Sequence, residues 1–309
     1  MTKPYSIAVV GLGKIARDQH VPSSAGSGGF ELVAVASPHN RHDTLPSYPD
    51  LAALLKATTN LSAVALCTTP QARFETASMA LARGCHVLLE KPPGITVSEV
   101  QVLVDLARAQ GVALHASWHS RHANGVEPAR AWLAERKVRN VSVVWKEDVH
   151  VWHPGQTWIW QAGGLGVFDP GINALSILTR IMPDPLILVD AELAVPENCE
   201  TPIAAQLRLT STGGAAVQAD FNFRHTGTAS WNIEVATDRG ALTLLNGGSE
   251  MQVDGRPVPL AQGKEYARLY AHFAAVVRER RIDVDLAPFT LVADAFLCGR
   301  RVSAPPFTP

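Results

Sequence analysis

The chain has 309 residues, a length that suits one large domain or two ordinary ones. Its formal net charge of −1 leaves no electrostatic footprint for nucleic acid or an anionic membrane, and no apolar run reaches the ~18 residues of a membrane span. Four scattered cysteines, Cys67, Cys85, Cys199 and Cys298, form no C-x-x-C, which excludes a disulfide framework and a cysteine zinc site.

The first strand-like run, SIAVVG, starts at Ser6 with no charged leader or cleavage site ahead of it, so the expected compartment is the cytoplasm. Short apolar runs then recur: ELVAVAS ending at Ser37, AVALCT at 63–68, HVLLE at 86–90 and VALHAS at 112–117. Helical patterns separate the later ones, QARFETASMALARG and TVSEVQVLVDLARAQG, each stopped by a glycine (Gly84, Gly111). Alternation of this kind predicts a doubly wound parallel sheet over residues 1–120.

Between strand one and its helix lies G-L-G-K-I-A, Gly11 to Ala16. In that context G-x-G-x-x-A is a dinucleotide-binding fingerprint. Gly11 permits the tight turn, Gly13 lets the backbone approach a pyrophosphate, and Ala16 permits close helix packing; Lys14 and Ile15 complete the turn. An acidic residue at the end of strand two would hold the ribose 2′-hydroxyl and repel a 2′-phosphate. Here Ser37 ends that strand, followed by Pro38, His39, Asn40 and Arg41. Ser37 can donate to a phosphate, and His39 or Arg41 can add charge, although Arg41 reads equally well as a solvated side chain. The cofactor expected is NADP in preference to NAD. Thr69 and Pro70 end strand three, and Glu90 and Lys91 end strand four, where ligands of such sheets bind.

After residue 120 the pattern changes. NVSVVWKEDVHVW, LILVDAELAV, IAAQLRLTS, GAAVQADFNFR, SWNIEVATD and GALTLLN read as strands with one solvated face. GKEYARLYAHFAAVVRER and LAPFTLVADAFLCGRR read as closing helices. The expectation for 121–309 is an α+β domain. Within it, GGLGVFDPGIN places Asp169 and Asn173 four apart, on one helix face behind glycines that clear space for a ligand. Asp169 before Pro170 also reads as a helix N-cap. The run WKEDVHVWHPGQTWIW is dense in tryptophan and charge, a lining that suits a sugar's apolar faces and hydroxyl edges. Glu147, Trp152 and His153 are candidate contacts there, with His119 after strand five and Trp231 in a later strand; Trp158, Trp160 and Trp152 also read as core. His150 and His153 lack a supporting carboxylate pattern, so no metal is expected.

The G-x-G-x-x-A, T-P, E-K-P and D-x-G-x-x motifs, spread in this order over nearly the whole chain, resemble the glucose–fructose oxidoreductase / inositol dehydrogenase / MocA family. The resemblance implies a Rossmann domain followed by an α/β domain with a large, mostly antiparallel sheet. It places the E-K-P lysine, Lys91, beside nicotinamide and substrate, and Asp169 and Asn173 near the reacting hydroxyl. The family pattern D-x-G-x-H has histidine where this chain has Asn173, and Phe74 stands where a second family histidine often lies. Asparagine cannot accept a catalytic proton. An anomeric hydroxyl is more acidic than an ordinary alcohol, so oxidation of a cyclic sugar at C1 asks less of the base. Among subfamilies the run GVFDPGINAL and the Ser37 strand end are closest to bacterial aldose 1-dehydrogenases. The implied reaction takes a sugar of L-arabinose or D-galactose stereochemistry to its lactone, with hydride transfer to nicotinamide. Lys91 and Asp169 share the O1 proton, and Asn173 fixes the sugar's pose. Two other readings stand: an inositol or other polyol dehydrogenase of the same family, and a non-catalytic dinucleotide-binding sensor. Sugar is the expected partner, and a homodimer is a candidate assembly.

Overall fold

The computed structural model describes residues 3–308. β1 (Tyr5–Val10) leads through a π-helical turn (Ala16–His20) into α1 (Val21–Gly26). β2 (Phe30–Ala36), β3 (Ser47–Tyr48), α2 (Leu51–Ala57), β4 (Ala63–Leu66), α3 (Pro70–Ala82), β5 (His86–Glu90), α4 (Val97–Gln110) and β6 (Leu114–Ser117) follow. Next come α5 (Val126–Leu133), β7 (Val138–Lys146), α6 (Val149–Trp152), α7 (Phe168–Ile181), β8 (Leu186–Pro196) and β9 (Ala204–Ser211). Then follow β10 (Ala216–Asn222), β11 (Ser230–Thr237), β12 (Gly240–Leu245), β13 (Glu250–Val253) and β14 (Arg256–Pro257). α8 (Glu265–Glu279), β15 (Ile282–Asp283), α9 (Ala287–Cys298) and β16 (Arg300–Ala304) close the chain. Among the described residues no helix is long and apolar enough to cross a membrane.

The chain forms two compact units, one running to Trp118 and taking in Lys264–Asp285, the other His119–Gly263 with the chain from Leu286. The sequence reading places one boundary near residue 120 and assigns everything after it to the second domain. The returning segment 264–285 has a physical reason to join the first. The first unit's sheet has the order β15-β6-β5-β4-β1-β2-β3, all its pairs parallel. Side chains of its strands alternate between faces. Ala8, Val10, Val64, Leu66, Val87 and Leu89 pack on α2, α3 and α4. Ile7, Val9, Ala63, Ala65 and Leu88 point the other way, onto Tyr266, Leu269, Tyr270, Phe273 and Val277 of α8. Those α8 residues recur at helical spacing, so one apolar stripe covers the second face of the parallel sheet.

At the sheet edge, α8 is pinned by a shared carboxylate. Asp283 Oδ2 lies 3.1 Å from His115 Nδ1 and 2.5 Å from His272 Nε2. Burial pushes the Asp283 carboxyl up, but the two histidine hydrogen bonds outweigh it and hold it well below the usual carboxylate range. A depressed carboxyl adds stability above its unfolded pKa of about 4, and that contribution is lost as pH falls through the folded value. Asp283→Asn is therefore expected to destabilise the protein at pH 7 by about 1–3 kcal/mol, with the gap to wild type narrowing in melts below about pH 4. A gap that stays constant down to pH 3 would contradict this account.

The second unit holds a nine-stranded sheet, order β14-β13-β12-β11-β7-β10-β9-β8-β16. Its pairs are antiparallel except β7 with β10 and β8 with β16. Alternation is clean on β7 and β10: Val141, Val143, Val217 and Phe221 are buried, while Asn140, Ser142 and Gln218 are exposed. The buried face receives α7, with Phe168 against Phe221 at 5.9 Å between ring centroids.

Three local readings change. The run through Val149–Trp152 is not the end of a strand: Asp148 accepts from the His150 N–H and starts the short helix α6. The last helix stops at Cys298, and Gly299 turns the chain into β16. Asp169 is not the N-cap of α7; it lies inside the first turn, the cap position is Val167, and no side-chain cap bond forms.

Candidate active site

In the first unit the glycine turn follows β1 directly. Gly11 has φ +89°, and a Cβ there would meet the backbone of Cys67 and Thr68 at 2.7 Å. Only glycine lets this turn lie against the exit of β4. A Cβ on Gly13 would meet nothing within 4 Å, so the backbone at Gly13 faces open space of the kind a pyrophosphate needs. Lys14 is exposed and paired with Asp18, and Ile15 is 41% exposed. At the end of β2, Ser37 is buried and His39 is exposed. Arg41 folds back to donate to the carbonyl oxygens of Ser37 (2.8 Å) and Asn40 (3.0 Å). Thr69 precedes α3 and Pro70 is its first residue. These residues gather at the carboxyl ends of β1, β2 and β4 and fit a dinucleotide.

Lys91 follows β5, and its setting is built from residues that the motifs do not announce. The Glu90 carboxylate, 3% exposed, accepts from the Lys91 backbone N–H, from Tyr266 Oη at 2.7 Å and from His20 Nε2 at 3.2 Å. Tyr270 Oη lies 2.9 Å from His20 Nδ1. Burial alone would push the His20 imidazole down, but Cys67, Tyr270 and Glu90 outweigh it and hold it well above its ordinary value. Burial, with Glu90 beside it, holds Tyr266 well above the usual phenol range, and burial pushes Tyr270 up to about 12. His20 and Glu90 thus form a buried hydrogen-bonded pair, Glu90 being the residue directly before Lys91. Arg73, 2% exposed, donates to Thr68 O, Glu90 O and Pro92 O. His20, Tyr266 and Tyr270 lie far from Glu90 in sequence, so no local spacing could announce them. Arg73 sits in an amphipathic helix where an arginine ordinarily faces water. Phe74, at the place of a family histidine, packs against the core.

In the second unit, the glycines before α7 serve the backbone rather than a ligand. A Cβ on Gly164 would meet Ile159 O at 2.3 Å, and one on Gly166 would meet Pro202 O at 2.2 Å. This close packing sets the start of α7 and with it Asp169, which is 2% exposed. α7 is buried on almost every side, and Asn173 is the one partly open residue of its first two turns.

Asp169 does not stand alone. His153 Nδ1 lies 3.5 Å from Asp169 Oδ2, and His153 Nε2 lies 3.7 Å from Glu147 Oε1. Glu147, 4% exposed, accepts from the Trp231 indole at 2.7 Å. Trp152 meets Trp231 edge-on at 5.1 Å and is 47% exposed, so it is not core. Trp160 is buried and packs on Phe307 at 4.8 Å. The unit therefore brings together five residues singled out in the sequence: Glu147, Trp152, His153, Asp169 and Trp231. His119 lies in a separate short turn, His119–His122, whose Arg121 holds α7 through Ser176 O and Thr179. An imidazole between two buried carboxylates, beside an aromatic corner, can accept and orient hydroxyl protons against an apolar ring face.

Residues 5–117 match the family model described as an oxidoreductase family with an NAD-binding Rossmann fold. The chain is 42% identical to a galactose 1-dehydrogenase of Pseudomonas fluorescens over 305 residues, 99% of each chain. The crystal structure of a D-galactose-1-dehydrogenase from Rhizobium etli superposes with a TM-score of 0.95 at 49% identity, covering 100% of this chain and 99% of that one. A 3-ketoreductase from Actinomadura kijaniata in complex with NADP and TDP-benzene has a TM-score of 0.85 at 19% identity, covering 98% of this chain and all of that one; it shares the fold.

Proposed function

The chain belongs to the glucose–fructose oxidoreductase / inositol dehydrogenase / MocA family of oxidoreductases, and on that premise we propose that it oxidises a cyclic aldose at C1 to the lactone. The proposed substrates are D-galactose and L-arabinose, whose pyranose rings share configuration at C2 to C4. The observation that carries the reading is the array in which His153 stands between Asp169 and Glu147, with Trp152 and Trp231 beside it. The full-length likeness to galactose 1-dehydrogenases supports it.

Gly11, Gly13, Lys14, Ile15, Ser37, His39, Arg41, Thr69 and Pro70 hold the dinucleotide in this proposal, with Glu90 and Lys91 at its nicotinamide end. A dinucleotide held there would supply the hydride acceptor for C1. Lys91 and Asp169 take the O1 proton between them, His153 orients the Asp169 carboxylate, and Asn173, Glu147 and His119 hydrogen-bond the remaining hydroxyls. The tryptophans cover the sugar's apolar face and exclude water. NADP is the preferred cofactor, since residues 37–41 carry no carboxylate to repel a 2′-phosphate. A homodimer is the proposed assembly.

Initial rates with NADP and NAD across D-galactose, L-arabinose, D-xylose, D-glucose and myo-inositol test this. Turnover of D-galactose or L-arabinose without turnover of inositol is the expected result. Turnover of inositol instead would move the chemistry to a secondary alcohol. Dinucleotide binding with no sugar turnover would make the chain a sensor.

A further inference from the structure

We propose that Arg73 is a positioning residue for Lys91, acting through the backbone on either side of it. The inference rests on the reading of Lys91 as the lysine at the reacting centre. Arg73 lies near the start of α3 and is 2% exposed, among Pro70, Ala77, Ala80 and Leu81 on the buried face of that helix. Packing alone would favour an aliphatic residue there, because burying a guanidinium is costly.

The hydrogen bonds show what the charge is used for. One terminal nitrogen donates to Glu90 O at 2.6 Å and also to Pro92 O. The other donates to Thr68 O. Glu90 and Pro92 are the residues immediately before and after Lys91, so a single nitrogen grips both of its neighbours. The Lys91 N–H is held from its own side by the Glu90 carboxylate. The stem of Lys91 is thereby fixed at three backbone points. Thr68 follows β4, the strand paired with β5 through Leu66 and Leu89. The same guanidinium therefore ties the two neighbouring strand exits together. Thr68 and Pro92 lie beyond the strands and Glu90 is the last residue of β5, still in register with Ser117; buried carbonyls at such strand ends need donors. The planar fork of arginine can serve three of them at once, which an ammonium cannot match in geometry.

A lysine amine delivered about 1 Å out of place costs turnover on the order of 100-fold. Arg73→Met should lower kcat for D-galactose by about 50-fold with the sugar KM changed less than about threefold, and Arg73→Lys should recover part of the loss. The decisive comparison is in a Lys91→Met background, where Arg73→Met should cost almost nothing more. Equal loss in both backgrounds, or an unchanged kcat in folded Arg73→Met enzyme, would overturn the inference and leave Arg73 a structural tie. Circular dichroism and NADP affinity report folding independently of turnover, and Arg73→Lys serves if the methionine variant does not fold. Wild-type turnover in Lys91→Met itself would instead defeat the reading of Lys91, a separate result.

Discussion

Lys91→Met is expected to lower kcat with D-galactose or L-arabinose by about 10³-fold or more, while the Kd for NADP changes by less than about tenfold. Methionine keeps the length and apolar stem of the side chain and removes only the amine. The surroundings of Lys91 should survive the change, because they have holds of their own. Glu90 is held by Tyr266 and His20, and the backbone carbonyls of Glu90 and Pro92 are held by Arg73. A loss in kcat with NADP binding retained therefore reports proton handling at O1 and not collapse of the strand exit. Fluorescence titration with NADP, melting curves and steady-state rates separate the two. Rates within about fivefold of wild type, in a variant that binds NADP normally, would remove Lys91 from the reacting centre.

Legibility in the sequence followed locality. The glycine turn, five strand runs of the parallel sheet and the stops at Gly84 and Gly111 are set by near neighbours and were legible, although β2 ends at Ala36 and β4 at Leu66, ahead of Ser37 and Thr69, and the two-residue β3 was not read. The parallel sheet followed by a mostly antiparallel one was legible too, because period-two and continuous apolar runs differ in print. What escaped needed partners distant in the chain. The apolar stripe of α8 reads as a helix, but nothing in it says that it covers the parallel sheet of the first unit, or that β15 behind it joins that sheet. The glycines before α7 read as room for a ligand, whereas they admit the carbonyls of Ile159 and Pro202. Residues 149–152 continue an alternating pattern, yet the Asp148 cap redirects them into a helix. That turn carries Trp152 and brings His153 next to Asp169. Glu147, His153 and Asp169 were each singled out for their chemistry. Their arrangement around one imidazole was not legible, because it depends on how β7, α6 and α7 pack.

That arrangement makes a sharper prediction than any single residue. The family pattern places a histidine four residues after the aspartate, and this chain has Asn173 there. If His153 orients Asp169 in its place, the two act as a unit. Asp169→Asn and His153→Gln should each lower kcat by about 10²–10³-fold, with the larger loss in Asp169→Asn. The double variant should be no slower than Asp169→Asn alone, because a base already removed has nothing left to orient. Glu147→Gln should act differently. It keeps an acceptor for the Trp231 indole, whose bond to Glu147 is 2.7 Å, so its effect should fall mainly on KM, by about tenfold. Losses that multiply in the double variant would mean that His153 and Asp169 meet the sugar independently, and the asparagine at 173 would then stand without a substitute.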